Sequence, residues 1–170
     1  GGMYLDTSNP SLTDVTFSSN SSDYGGGIYC RYSSSPSLTS VTITNNTATQ
    51  DGGGIHCSEQ SNPSLENVTI TGNTAENWGG GISCDNVSSP SLENVTIRGN
   101  SATFGGGIYC YDYSSPSLVN VTISGNTASS LGGGIYCYNN SSPNLVNVLI
   151  TNNIATGTTY GGGGIWCYNS

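Results

Sequence analysis

One phrase is written six times along the chain, with small variations: Gly-Gly-Gly-Ile-x-Cys, then Ser-Pro-Ser-Leu, then Asn-Val-Thr-Ile-x-Gly-Asn-x-Ala. A period of this length means that one unit cannot bury its apolar side alone and must stack on its neighbours. The cysteines fall at Cys30, Cys57, Cys84, Cys110, Cys137 and Cys167, in steps of 27, 27, 26, 27 and 30 residues. Each of the first five is followed 6 residues on by a proline (Pro36, Pro63, Pro90, Pro116, Pro143). Each proline, with Pro10 ahead of them, is followed 10 residues on by Asn20, Asn46, Asn73, Asn100, Asn126 and Asn153. All length variation therefore lies between that Asn and the next glycine triplet, most visibly at Gly157-Thr158-Thr159-Tyr160. The rest must hold register, and one corner can bulge.

Two strands read cleanly in each unit. Ile28-Tyr29-Cys30 puts Ile and Cys on one face, and Val68-Thr69-Ile70-Thr71 puts Val and Ile on one face with Thr opposite. Alternation with period two marks strands buried on one side. No helical period is present, and the 25 glycines follow no Gly-x-y pattern, which excludes a collagen helix. In-register stacking gives an all-β fold: a right-handed parallel β-helix of about six coils of ~27 residues, with coils about 4.8 Å apart. Residues 1–170 read as one solenoid domain. Each coil supplies a thin core layer, such as Ile55, Cys57, Leu65, Val68, Ile70 and Ala75. The Asn20–Asn46–Asn73–Asn100–Asn126–Asn153 column reads as a ladder of amides in a left-handed turn.

Gly-Gly-Gly-Ile together with Phe17-to-Asn20 and Ile70-to-Asn73 resembles the GG-A-I and F-x-x-N repeats of the chlamydial polymorphic outer-membrane proteins. The Gly-Gly-Gly-Ile-Tyr…Ser-Pro-x-Leu-x-Asn phrase is also similar to repeats of secreted bacterial β-helix proteins. The match covers essentially the whole chain. It implies a right-handed β-helix displayed on a cell surface, adhesive or fibrous in role.

Ten acidic residues face only Arg31 and Arg98, for a net charge of −8, which argues against nucleic acid and anionic membranes as partners. No apolar run approaches the roughly 20 residues that span a bilayer. Beginning inside a repeat at Gly1-Gly2, without an initiating Met, the chain reads as a mature or excised piece, uncapped at both ends. Open ends invite pairing, either head to tail with another copy or with further repeats of a longer chain.

Adjacent coils bring successive cysteines within disulfide reach, so Cys30–Cys57, Cys84–Cys110 and Cys137–Cys167 are candidate bridges; a ladder of free buried thiols is the other reading. Even spacing and a single histidine, His56, speak against zinc. Asn-x-Ser/Thr sequons at Asn45, Asn67, Asn86, Asn94, Asn120, Asn139 and Asn140 are candidate glycosylation sites, although Asn-Val-Thr belongs to the repeat itself. A column expected to face outward runs Tyr4, Tyr29, His56, Ser83, Tyr109, Tyr136, Trp166. Tyr29, Tyr109, Tyr136 and Trp166 are its candidate ligand or assembly face, suited to stacking on sugar or on a neighbour. A Thr-x-Thr column (Thr42/Thr44, Thr69/Thr71, Thr122/Ser124) resembles ice-binding faces but is interrupted by Arg98 and Leu149.

Little supports catalysis. Glu66 and Glu93 are the one acidic pair in a shared column and read as solvated. No Ser-His-Asp spacing, dinucleotide loop or calcium repeat occurs. The sequence thus predicts a non-enzymatic extracellular or cell-surface structural protein without cofactor. Its partner is itself or neighbouring repeats. A polysaccharide-binding module is the alternative.

Overall fold

The computed structural model describes residues 1–157 and 160–170. Thr158 and Thr159 of the expected bulge lie outside the described residues. Among the described residues twenty-five short strands build four sheets, all parallel, and every strand pairs with its counterparts one repeat before and after it, the edge strands of each sheet with one only. Sheet A collects the Ile-x-Cys strands, from Met3–Asp6 to Ile165–Tyr168. Sheet B collects Ser-Leu-x (Ser64–Glu66, for example), sheet C Thr-Ile-x (Thr69–Thr71) and sheet D the strands after the ladder Asn (Thr74–Ala75). Each coil therefore holds four strands, where period-two alternation marks two. The Ser-Leu-x and Thr-Ala segments are too short to show alternation of their own.

Register is like over like. Cys57 pairs Cys84, Leu65 pairs Leu92 and Ile70 pairs Ile97. The expected layer residues Ile55, Cys57, Leu65, Val68, Ile70 and Ala75 are all buried. Their columns fuse into one continuous spine, with Ala48, Ala75 and Ala102 forming a small side cluster under sheet D. Small Ala is needed there because the ladder amides and the glycine triplets already crowd that corner.

Corners are made by left-handed residues. Between sheets A and B two consecutive residues have positive φ, as at Asn139 and Asn140; between B and C one does, as at Asn67. Between C and D the positive φ falls on Ser19, Asn45, Gly72, Gly99, Gly125 and Asn152. Each of these immediately precedes a ladder Asn. The left-handed turn expected at the ladder Asn is thus made one residue earlier, and the ladder residue stays free to send its amide inward. Val87 occupies a left-handed position with φ 64° and is half-exposed. A β-branched residue there is strained. Val87→Asn, which copies Asn140, is expected to raise stability by about 1 kcal/mol in urea unfolding.

Polar ladders hold the corners. Asn46 Nδ2 donates to Asn73 Oδ1 at 3.0 Å and to the Phe17 carbonyl at 3.0 Å, and its neighbours repeat the pattern. A second ladder escapes a reading of the sequence alone. From Pro36 on, the serine two residues before each proline is buried and accepts the backbone N–H of its predecessor: Ser34 N–H to Ser61 Oγ, Ser61 to Ser88, Ser88 to Ser114, Ser114 to Ser141. Its signal was its recurrence at one fixed offset from proline.

Candidate functional site

The column expected to face outward does not reach solvent through most of its length. In-register pairing of Tyr29, His56, Ser83, Tyr109, Tyr136 and Trp166 is as expected. Yet Tyr109 and Tyr136 are only 5% and 9% exposed. They are roofed by a further column, Tyr24, Asp51, Trp78, Phe104 and Leu131, each standing directly before a glycine triplet. Trp78 stacks on Tyr109 (centroids 5.3 Å, 8° between planes), Tyr109 on Tyr136 (5.0 Å, 9°) and Tyr136 on Trp166 (4.5 Å, 13°). Aromatic faces that spend themselves on one another in this way hold coils together. A second tyrosine row, in the column after cysteine, is half-buried at Tyr111 and Tyr138 and exposed at Tyr168, with centroids 5.7 Å apart at both steps.

The aromatic filling stops in the early coils, and there a polar notch of about 340 Å³ opens. Three columns change chemistry at the same place. The inner column carries His56 and Ser83 instead of Tyr, and the roof carries Asp51 between Tyr24 and Trp78. The column after cysteine carries Arg31, Ser58 and Asp85 where later coils carry Tyr111 and Tyr138. His56 packs against the rings of Tyr29 (4.9 Å) and Tyr24 (5.4 Å), and its Nε2 lies 3.7 Å from Asp85 Oδ2. Ser58 Oγ donates to Tyr29 OH at 3.4 Å. Arg31 turns its guanidinium over the Tyr32 ring, 4.2 Å from the centroid.

Burial governs the ionisation of these groups. It holds His56 neutral, down to about 3, helped by the Arg31 charge. It raises Asp85 to about 7, with the Asp51, Glu59 and Asp112 charges adding to the effect. It raises Asp51 to about 6 against an opposing backbone hydrogen bond from Trp78. Between pH 4 and pH 6 the unfolded chain carries ionised Asp51 and Asp85 and a protonated His56. The folded chain holds a proton on each Asp and none on His56. Folding thus takes up a net proton, and stability falls by about 1.4 kcal/mol per pH unit as pH rises through this window. Urea unfolding should therefore give a protein about 2 kcal/mol more stable at pH 4.5 than at pH 6. Asp85→Asn should flatten the slope and His56→Gln should steepen it; a stability that rises with pH across this window would contradict the assignment.

The six cysteines form one column, as the spacing requires, and all are free thiols; Cys167 is exposed and the other five are buried. The candidate bridges Cys30–Cys57, Cys84–Cys110 and Cys137–Cys167 are not made. Strictly in-register side chains run parallel, whereas a disulfide needs its two Cβ–S vectors to converge with a dihedral near 90°. The neighbouring thiol of the column and burial raise Cys30 and Cys137 above the ordinary thiol range. A thiol reagent added to the native chain should titrate Cys167 alone, and all six after denaturation.

The sequon residues all sit at left-handed corners: Asn45, Asn67, Asn86, Asn94, Asn120, Asn139 and Asn140 have φ between 49° and 58°. Turn geometry by itself accounts for Asn there. Asn120 Nδ2 donates to Asn94 Oδ1 at 3.2 Å, so these amides form an outer ladder. Glu66 and Glu93 are direct neighbours in sheet B, both exposed and outside the notch. Thr42, Thr69, Thr96 and Thr122 align on sheet C, followed by Leu149. Among the described residues no group of three His, Cys, Asp or Glu side chains is placed to hold a metal ion, and no helix is long and apolar enough to cross a membrane.

Parallel coils wound into four stacked sheets around a shared spine define a β-solenoid. The family model described as the right handed beta helix region matches residues 1–170, and the chain belongs to that family. No curated protein and no solved structure matches it.

Proposed function

We propose that the chain is a non-enzymatic structural repeat protein, a rod segment of an extracellular or surface-displayed fibre or adhesin stalk. The observation that carries this is the surface of the sixth coil. Its outward positions are more apolar than those of the coil before it. This coil turns Val146, Leu149 and Ile154 outward, at 48%, 57% and 55% exposure; Leu149 and Ile154 stand where the preceding coil places Thr122 and Thr127. A parallel edge lined with apolar side chains is a template for another rung. A second copy or further repeats of the same solenoid supply that rung in register, because the repeat grammar is common to every coil.

Negative-stain electron microscopy over a concentration series tests the reading. Rods that lengthen end to end with concentration, and shorten with Ile150→Glu, are expected. Isolated short particles at every concentration would contradict self-stacking. The polysaccharide-binding alternative rests on the Tyr111, Tyr138 and Tyr168 row, and glycan-array binding lost on Tyr138→Ala would favour it.

A further inference from the structure

We propose that the notch between the Tyr24–Trp78 roof and sheet A is a binding site for a primary ammonium group, either the end of a lysine side chain or a free alkylamine. The argument starts from unpaired atoms. Among the described residues, five buried side-chain polar atoms have no hydrogen-bond partner: Arg31 Nε, Asp51 Oδ1, His56 Nδ1, Ser83 Oγ and Asp85 Oδ1. Four of these residues line the notch, and the fifth, Ser83, lies between His56 and Tyr109 in the same column. Buried polar atoms are almost always satisfied, and a cluster of exceptions in one place calls for a ligand. His56 is 2% exposed and lines the notch. It is therefore a fully buried side chain whose free nitrogen has no protein partner, independent of the acidic residues around it.

The unmet valences describe the ligand. Nε2 of His56 faces Asp85, which assigns the proton to Nε2 and leaves Nδ1 as a lone pair. Asp51 Oδ1 and Asp85 Oδ1 are acceptors, and Ser83 Oγ can accept. Arg31 Nε–H and the Ser83 hydroxyl hydrogen are the donors without an acceptor, against three atoms that can only accept. A group that donates several hydrogen bonds and carries positive charge matches this set, and an ammonium with three N–H donors does so. Charge points the same way. Asp51, Asp85 and Glu59 crowd one opening, and His56–Asp85 is the only approach of a basic to an acidic side chain within 4.0 Å among the described residues. Arg31 lies over Tyr32 and makes no ion pair within 4.0 Å with any of them. The walls fit as well, since Tyr24, Tyr29 and Trp78 line the notch with aromatic rings, an apolar and electron-rich surface for a cation and the methylenes behind it. A metal ion is the weaker occupant, because no three acidic, His or Cys side chains converge to chelate one among the described residues. A volume of about 340 Å³ takes an alkylammonium end with several methylenes.

The test is NMR titration at pH 8 of the folded chain, read at the Trp78 indole N–H and the Ser83 amide. Four probes are used: Nα-acetyl-lysine methylamide, 1,5-diaminopentane, calcium chloride and methyl glucoside. The expected result is saturable shifts with an amine probe, weakened at least tenfold by Asp85→Asn and by Asp51→Asn. Both variants remove a carboxylate that burial disfavours, so both remain folded, as circular dichroism checks. A tenfold preference for the lysine derivative identifies a protein side chain as the source, and the reverse preference a free amine. Saturation by calcium or by the glucoside instead of the amines, or no saturation by any probe up to about 10 mM, which corresponds to binding weaker than roughly 3 kcal/mol, would overturn the proposal.

Discussion

Gly80→Ala is expected to split the stack in its middle. A Cβ at Gly80 would lie 2.5 Å from the Gly106 carbonyl oxygen, 2.5 Å from the Ser101 oxygen and 2.6 Å from the Ser101 nitrogen. All three are backbone atoms, the Gly106 oxygen in the next coil and the Ser101 atoms at the end of the same coil, and none can retreat alone. Gly80 N–H donates to Gly105 O at 3.1 Å, and Gly81 N–H to Gly106 O at 3.2 Å, so moving them opens the ladder. The second glycine of the triplet is thus required by close approach of coils, not by an unusual φ. Overpacking against backbone belongs to the few mechanisms that exceed about 4 kcal/mol. Because coils touch only their neighbours, the loss should appear as independent melting of the two halves in thermal circular dichroism. Gly99→Ala is the control. Gly99 has φ +63° but nothing within 4 Å of its would-be Cβ, so it should cost only about 1–2 kcal/mol. A Gly80→Ala protein within 1 kcal/mol of the parent would show that the coils are not packed this closely.

Asn73→Leu should cost about 4 kcal/mol in urea unfolding although it keeps the shape of the side chain. Asn73 Oδ1 accepts from Asn46 N (2.9 Å) and Asn46 Nδ2 (3.0 Å), and its Nδ2 donates to Asn100 Oδ1 (3.0 Å) and the Ile43 carbonyl (3.0 Å). Leucine makes none of these bonds. It leaves the Asn46 N–H buried and unpaired, at about 1–3 kcal/mol, and strips Asn46 Nδ2, Asn100 Oδ1 and the Ile43 carbonyl of one bond each. Neighbouring amides also lose the mutual polarisation of the row. The outer ladder gives the contrast, because Asn94→Ala leaves groups that water can reach and should cost about 1 kcal/mol. Equal effects at the two positions would mean that the inner row carries no special load.

These two positions show what the sequence makes legible. The inward Ile, Cys, Leu and Val columns could be read because period-two alternation and constant spacing agree at every coil. The Asn column could be read as a ladder for the same reason. Its backbone role could not, since the left-handed residue varies between Asn, Gly and Ser one position earlier. The aromatic column was placed correctly in register but wrongly in solvent, because its roof lies in the stretch where coil length varies. Counting back from the glycine triplet instead of forward from cysteine aligns Tyr24, Asp51, Trp78, Phe104 and Leu131. The notch was hidden for a related reason. Arg31, Asp51, His56 and Asp85 are far apart in sequence and belong to three columns, and each alone reads as an ordinary deviation from the repeat.

The central claim is that equivalent residues of successive coils lie directly over one another. Long-range HNCO spectroscopy, which detects scalar coupling through a hydrogen bond, tests it most directly. The structure requires the Ile55 amide nitrogen to couple to the Gly81 carbonyl and the Ile82 nitrogen to the Gly107 carbonyl. Those two cross-peaks are the predicted result. Coupling of either amide to a carbonyl four residues earlier, or to one shifted along the next coil, would contradict the stacked register.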